Sequence, residues 1–243
     1  MFRIVIFILI FVATISHAAW QQRGQDVDGE YEGDYSGTSV AISKDSNIII
    51  IGGKFNDDGL TLGDGMRSDT GHARVYQYTG SAWTQIGPDI TGESIDDYMG
   101  SSVSISADGE VVAVGGVGND TNGENSGFVR VSKIFRGTSF SNPGALINSP
   151  VLYFLRGADI DGEAAGDLSG SSVSLSSNGD IVAIGAPGNN SSTGHARVYQ
   201  YDEVNNAWNQ LGTDIDGEAT GDLSGSSVSL SSNGDIVAIG APG

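Results

Sequence analysis

The chain has 243 residues and a formal net charge of −19, from 30 acidic against 11 basic side chains. That balance argues against nucleic acid or an anionic membrane surface as a partner, since both demand a basic patch. The absence of cysteine excludes disulfides, thiol nucleophiles and Cys-based metal centres, and 37 glycines against 5 prolines suit many tight turns between short strands.

Residues 1–18 have the layout of a secretory signal. A basic start (MFR) precedes the apolar run IVIFILIFVATI, and Ser16 and Ala18 supply small residues for cleavage after Ala18. The run is too short for a comfortable membrane span, with an uncleaved anchor as the alternative. The chain is therefore expected to be secreted or displayed at the cell surface.

Next comes an internal repeat. Four similar passages begin at Asp26, Asp89, Asp159 and Asp214, spaced by 63, 70 and 55 residues. Asp159–Gly188 and Asp214–Gly243 differ only by Ala165 against Thr220. A full copy predicts four strands. Strand A alternates in period two (SVSLS, Ser172–Ser176), and strand B is an apolar run buried on both faces (DIVAIGA, Asp180–Ala186). Strand C is HARVYQY at 72–78 and 195–201 and FVRVSKI at 128–134. Strand D is AWQQRG, AWTQIG and AWNQLG, and Tyr153 of VLYFLRG fills the position of Trp20, Trp83 and Trp208. The surplus before it, at 137–150, reads as an inserted loop. Four-stranded units at this period predict an all-β chain, a β-propeller of about three and a half blades over residues 19–243. A sandwich would not explain the repetition. The strand-D aromatic is expected to pack blade against blade.

The segment GSSVSLSSNGDIVAIGAP (Gly170–Pro187), recurring in register four times, resembles the FG-GAP repeat of integrin α-chain propellers and many secreted proteins. The resemblance covers nearly all of residues 20–243. It implies adhesion, or recognition of an extracellular protein or glycan. Since such propellers generally have seven blades, it also implies that these copies are part of a longer propeller. There are departures. Ser36, Met99, Ser169 and Ser224 replace the Phe of "FG", and "GAP" is complete only at Gly185–Pro187 and Gly240–Pro242. The turn between strands A and B is too short and too poor in acids to carry over the family's calcium loop.

Antiparallel order puts the B–C loops and the D–A links between blades on one rim. The links repeat Asp-x-Asp-Gly-Glu-x-x-x-Asp: Asp26, Asp28, Glu30 and Asp34; Asp159, Asp161, Glu163 and Asp167; Asp214, Asp216, Glu218 and Asp222. The copy at Asp89 has Thr91 at the second place and keeps Glu93 and Asp97. Oxygen ligands at alternate positions fit weak calcium binding; turn-forming, solvated links are the plainer reading. The B–C loops add Asp57, Asp58, Asp64, Asp69, Asp120 and Glu124, and Asn119, Asn189 and Asn190 open glycosylation sequons. His72 and His195 recur at one place in strand C, which reads as structural rather than catalytic. The expected function is non-catalytic binding, calcium-assisted if the links bind the ion. The alternatives are a structural repeat protein without a discrete ligand, or the propeller of a larger secreted enzyme.

Overall fold

The computed structural model describes residues 20–57, 68–136 and 151–243. The predicted signal at 1–18, the inserted loop at 137–150, and Asp58 and Asp64 lie outside them. The first sheet holds β1 (Ser36–Ile42), β2 (Ile48–Gly53), β3 (His72–Tyr78) and β4 (Trp83–Gln85) in that order, with β5 (Ile90–Thr91) also on β3. The second repeats the pattern with β6 (Met99–Ile105), β7 (Val111–Gly116), β8 (Phe128–Arg136), β9 (Val151–Leu155) and β10 (Ile160–Asp161). The third has β11 (Ser172–Leu175), β12 (Ile181–Ala186), a one-turn segment α1 (Asn189–Ser192), β13 (His195–Asp202), β14 (Ala207–Gln210) and β15 (Ile215–Asp216). Strands A and B of the fourth copy form a two-stranded sheet, β16 (Ser227–Leu230) and β17 (Val237–Gly240). Every strand pair within the sheets is antiparallel. This is an all-β, partial β-propeller of four-stranded blades, and Tyr153 sits on strand D of the second blade as the register predicts.

Two expectations change. Strand D is broken in each full blade. Gly87, Gly157 and Gly212 adopt φ of +75° to +76°, and the chain then rejoins strand C through β5, β10 and β15. The acidic links therefore open inside the sheet rather than beyond it. Residues Trp20–Gly24 form no strand, because no strand C lies beside them among the described residues.

A blade has two apolar faces and cannot cover either alone, so the core lies between blades. Ile48, Ile50, Ala73 and Val75 of the first blade pack with Met99, Val103, Val112 and Val114 of the second. Val111, Ala113, Val129 and Val131 of the second pack with Leu175, Val182 and Ile184 of the third. Each Val, Leu, Ile or Met among them contributes about 1.5–3 kcal/mol by leaving water.

Backbone contact sets the spacing. A Cβ on Gly52, Gly115 or Gly185 of strand B would lie 2.2, 2.2 or 1.9 Å from the carbonyl oxygen of Gly100, Gly170 or Gly225 in the next blade. On the outer side the strand-D aromatic reaches the preceding blade's link. Trp83 Nε1 donates to the Arg23 carbonyl (2.8 Å), Tyr153 Oη to Ile86 (2.5 Å) and Trp208 Nε1 to Arg156 (2.5 Å). Three rings of two chemical kinds make one bond, which accounts for tyrosine at a tryptophan position.

These contacts predict a contrast between two glycines. Gly115→Ala drives a methyl into a neighbouring backbone and should lower the unfolding free energy by about 3 kcal/mol or more. Gly80→Ala faces open space at φ +94° and should cost only the left-handed backbone term, about 1–2 kcal/mol. Urea denaturation of the two variants checks the difference.

Candidate functional site

The loop-rich rim is built from two repeated devices. The first uses the last acid of each link. Asp34, Asp97 and Asp167 are buried polar residues. Asp97 Oδ2 accepts from the amides of Glu93 (2.7 Å) and Ser94 (2.8 Å), and its Oδ1 accepts from Asn119 Nδ2 (3.1 Å). Asp167 does the same with Glu163, Ala164 and Asn189. Asp34 Oδ2 accepts from the Tyr31 amide and from Asn56 Nδ2. In the fourth copy Asp222 accepts from the amides of Glu218 and Ala219. Each of these aspartates folds its link into a turn, and three of them also tie it to the B–C loop. A constant separation of 22 residues between acid and asparagine was the readable signal for this pair.

The second device is an arginine clamp on strand C. Arg74 grips Asp89 with Nε (2.9 Å) and Nη2 (2.6 Å), and Nη2 also lies 2.6 Å from Glu30. Arg130 joins Asp159 (2.6 Å), Glu93 (2.5 Å) and the Thr91 carbonyl (3.2 Å). Each guanidinium bridges the link that enters its blade and the start of the link that leaves it. The third blade varies this. Arg197 reaches Glu163 at 3.3 Å and the Asp161 carbonyl at 2.9 Å, while its buried Nε has no partner. An apolar strand carrying Arg at one place in three copies is the sequence sign of the clamp.

The electrostatics follow from these contacts. Burial opposes ionisation of Asp89, but the hydrogen bonds and charge of Arg74, helped by Gln85, hold its carboxyl below the ordinary value. Burial would also discharge Arg74 and Arg130, yet their paired carboxylates raise both above the ordinary arginine value. Burial pushes Asp161 up, with the Asp159 charge adding to it. His72 is lowered, first by burial and then by Arg74. Its buried Nδ1 lacks a hydrogen-bond partner and lies 3.7 Å from Asp89 Oδ2. His195 stands likewise 3.6 Å from Asp214. In the second blade Phe128 occupies the same place.

The predicted calcium ligands are thus distributed rather than gathered. Asp159 belongs to Arg130, Glu163 to Arg197, and Asp167 to backbone amides. Asp26 bonds Gln22, Asp214 bonds Gln210, and Asp28 and Asp216 lie on the surface. Among the described residues, no link brings three of its own acids together. The two convergent groups are Glu30, His72 and Asp89, and Glu163, His195 and Asp214, each drawn from two links and strand C. In the first, Arg74 already supplies the positive charge. Of the sequon asparagines, Asn119 and Asn189 spend their side-chain amides on Asp97 and Asp167, whereas Asn190 is exposed in α1.

The rim also carries a row of rings that composition had not revealed. Tyr35 meets Phe55 edge-on at 5.2 Å, and Phe55 meets Tyr98 at 5.5 Å, with Lys54 Nζ 4.6 Å from the Phe55 ring. Tyr35 and Tyr98 occupy the same left-handed link position, φ +53° in both, where the third and fourth copies have Leu168 and Leu223. Tyr31 and Tyr35 are 66% and 65% exposed.

The fold and rim define a propeller-type repeat protein. No family model and no curated protein matches the chain. Among solved structures it is similar to Sqt1 from Chaetomium thermophilum (TM-score 0.50, 16% identity, 85% of this chain and 42% of that one). It also aligns with Sqt1 from Saccharomyces cerevisiae (0.40, 13%, 77% and 36%) and with a putative 6-phosphogluconolactonase from Bacteroides uniformis (0.46, 11%, 84% and 49%). The chain spans less than half the length of each. Among the described residues, no helix is long and apolar enough to cross a membrane.

Two predictions follow from the charges. Because His72 titrates below 6.5 when folded, the unfolded chain takes up its proton first as pH falls. Stability therefore declines as pH falls below about 6.5. His72→Phe, which installs the residue of the second blade, should flatten that decline in urea midpoints measured across the range. Because most link acids already have partners and no link among the described residues gathers three of its own, the thermal midpoint should be the same in calcium and in chelator. A rise with calcium would show that ions displace these contacts.

Proposed function

We propose that this chain is a binding module, a non-catalytic propeller segment that recognises an extracellular protein or glycan through its loop-rich rim. The observation that carries this reading is the Tyr35–Phe55–Tyr98 row, with Asp96 and Asp69 close enough to Tyr98 for their charges to act on its hydroxyl and with the exposed Tyr31 on the same link as Tyr35. Aromatic faces beside acids suit a hydroxyl-rich sugar face or a basic patch on a protein. The row stands on links stapled by buried aspartates, so its rings are held before a ligand arrives and binding loses little freedom. Secretion belongs to the same proposal and rests on the signal-like residues 1–18. A catalytic reading finds no support in the strand-C histidines, which are buried and exchanged for Phe128 in one blade.

The test is surface binding of the purified chain to arrays of neutral and basic glycans and to immobilised basic extracellular proteins. A ligand should be retained, and Tyr35→Ala with Tyr98→Ala should weaken it by about 10- to 100-fold with an unchanged far-ultraviolet spectrum. Binding indifferent to both substitutions would move the site elsewhere. Absence of any ligand would favour a structural repeat protein.

A further inference from the structure

The arginine clamp is closed in two blades and open in the third. In the first, Nε and Nη2 of Arg74 hold Asp89, the first acid of the leaving link, while Nη2 also holds Glu30 of the entering link. Arg130 ties Asp159 to Glu93 in the same way. Arg197 keeps only the entering side. Its Nη1 lies 3.3 Å from Glu163 and its Nη2 donates to the Asp161 carbonyl, while Nε, the atom that grips the leaving link in the other two blades, is buried without a partner. The guanidinium rests over the Tyr199 ring, 5.6 Å from its centroid. Among the described residues, no arginine or lysine pairs with Asp214. Gln210 donates to its Oδ1 (2.7 Å), and its Oδ2 faces His195.

That imidazole points into the gap with nothing to bond. His195 is 1% exposed, its Nε2 has no partner, and its Nδ1 lies 3.6 Å from Asp214 Oδ2, beyond hydrogen-bond reach. A buried polar atom left unpaired is destabilising, so a partner is wanted here. One atom each of Glu163, His195 and Asp214 lie within 4.8 Å of one another. The spacing of Nδ1 and Oδ2 is long for a hydrogen bond but close to the edge of a tetrahedron of N and O atoms around zinc, about 3.3 Å for bonds of about 2.0–2.1 Å. The side chains of Glu163 and Asp214 are 47% and 28% exposed, so an ion can enter from the rim and Glu163 can turn toward it.

We propose that Glu163, His195 and Asp214 bind one zinc ion, which joins the entering and leaving links of the third blade as arginine joins them in the first two. Two carboxylate oxygens and an imidazole nitrogen, with water in the fourth place, suit zinc, whereas calcium takes about six to eight oxygens. The other blades lack the site for definite reasons. In the second, Phe128 stands where the imidazole would be. In the first, Glu30, His72 and Asp89 converge too, but Arg74 lies 2.6 Å from both carboxylates and already supplies the charge. The three ligands come from the entering link, strand C and the leaving link, the same segments that build the clamps of the first two blades, so the site is whole within the third.

The test is calorimetric titration of zinc into the full, untagged chain after chelator treatment and dialysis, with cobalt(II) as a spectroscopic probe of the same site. The parent should take up about one equivalent, and cobalt should show the visible absorption of a four-coordinate site. His195→Phe installs the residue of the second blade, and Asp214→Asn keeps the side-chain shape. Each should weaken zinc binding by about 10- to 100-fold with an unchanged far-ultraviolet spectrum, since a lost ligand matters at least as much as a lost outer partner. Asp214→Asn, near the rim, carries the test if His195→Phe does not fold. His72→Phe alters the other cluster and should leave uptake as it is. Absence of uptake by the parent overturns the proposal. So does uptake indifferent to Asp214→Asn, or uptake that His72→Phe abolishes.

Discussion

Everything in this molecule hangs on how closely one blade's backbone approaches the next. Gly52, Gly115 and Gly185 let a carbonyl of the following sheet come where a methyl would stand, and the aliphatic residues of strand B interlock because that distance is short. Glycine in a strand is normally a weakness. Here it is repaid by burial on both sides, since a strand B held at greater distance would leave Val112, Val114, Val182 and Ile184 with gaps on one face. The aromatic hydrogen bonds of Trp83, Tyr153 and Trp208 act at the outer edge of the same junction, so each blade is fixed at both ends of its radius.

The rim depends on that spacing. An arginine on strand C can reach both the entering and the leaving link only when successive sheets are close, and Arg74 and Arg130 do so with hydrogen bonds of 2.5 to 3.2 Å. A guanidinium this buried is tolerated because carboxylates on both sides satisfy its fork. The acidic surplus of the chain is thereby partly internal: some carboxylates neutralise arginines, and some fold links around backbone amides.

Much of this architecture was legible, and the reasons are specific. Strand B could be read as buried because its apolar run has no period, and Tyr153 could be aligned with tryptophan because register, not identity, carries the repeat. The break in strand D was not legible. Gly87, Gly157 and Gly212 look like ordinary loop glycines, and only the pairing of Ile90, Ile160 and Ile215 with strand C shows that the strand resumes. The acids were read as one set along the chain because alternation in sequence suggests convergence. Their partners lie in other blades and in the backbone, and no local pattern displays those. Two of the three sequon asparagines, Asn119 and Asn189, also bond an aspartate of the link, a role encoded only in their distance from it.

The repeat itself separates scaffold from function. Residues that recur in every copy at one place, such as the junction glycines and the turn-folding aspartates, answer to the geometry of stacking, which is the same at every junction. A ligand does not repeat with the blades, so a recognition surface has to be sought where copies differ. A difference meets that criterion only where a protein or glycan ligand can reach it, and His72 and His195, replaced by Phe128 in the second blade, are buried. Tyr35 and Tyr98 pass it. They hold the same strained link position as Leu168 and Leu223, so the backbone demands only a side chain of some bulk there, and aromatic identity is confined to the two blades that Phe55 joins. A difference that stacking does not require, placed on a rim that stacking makes rigid, is the physical ground for proposing a binding surface there.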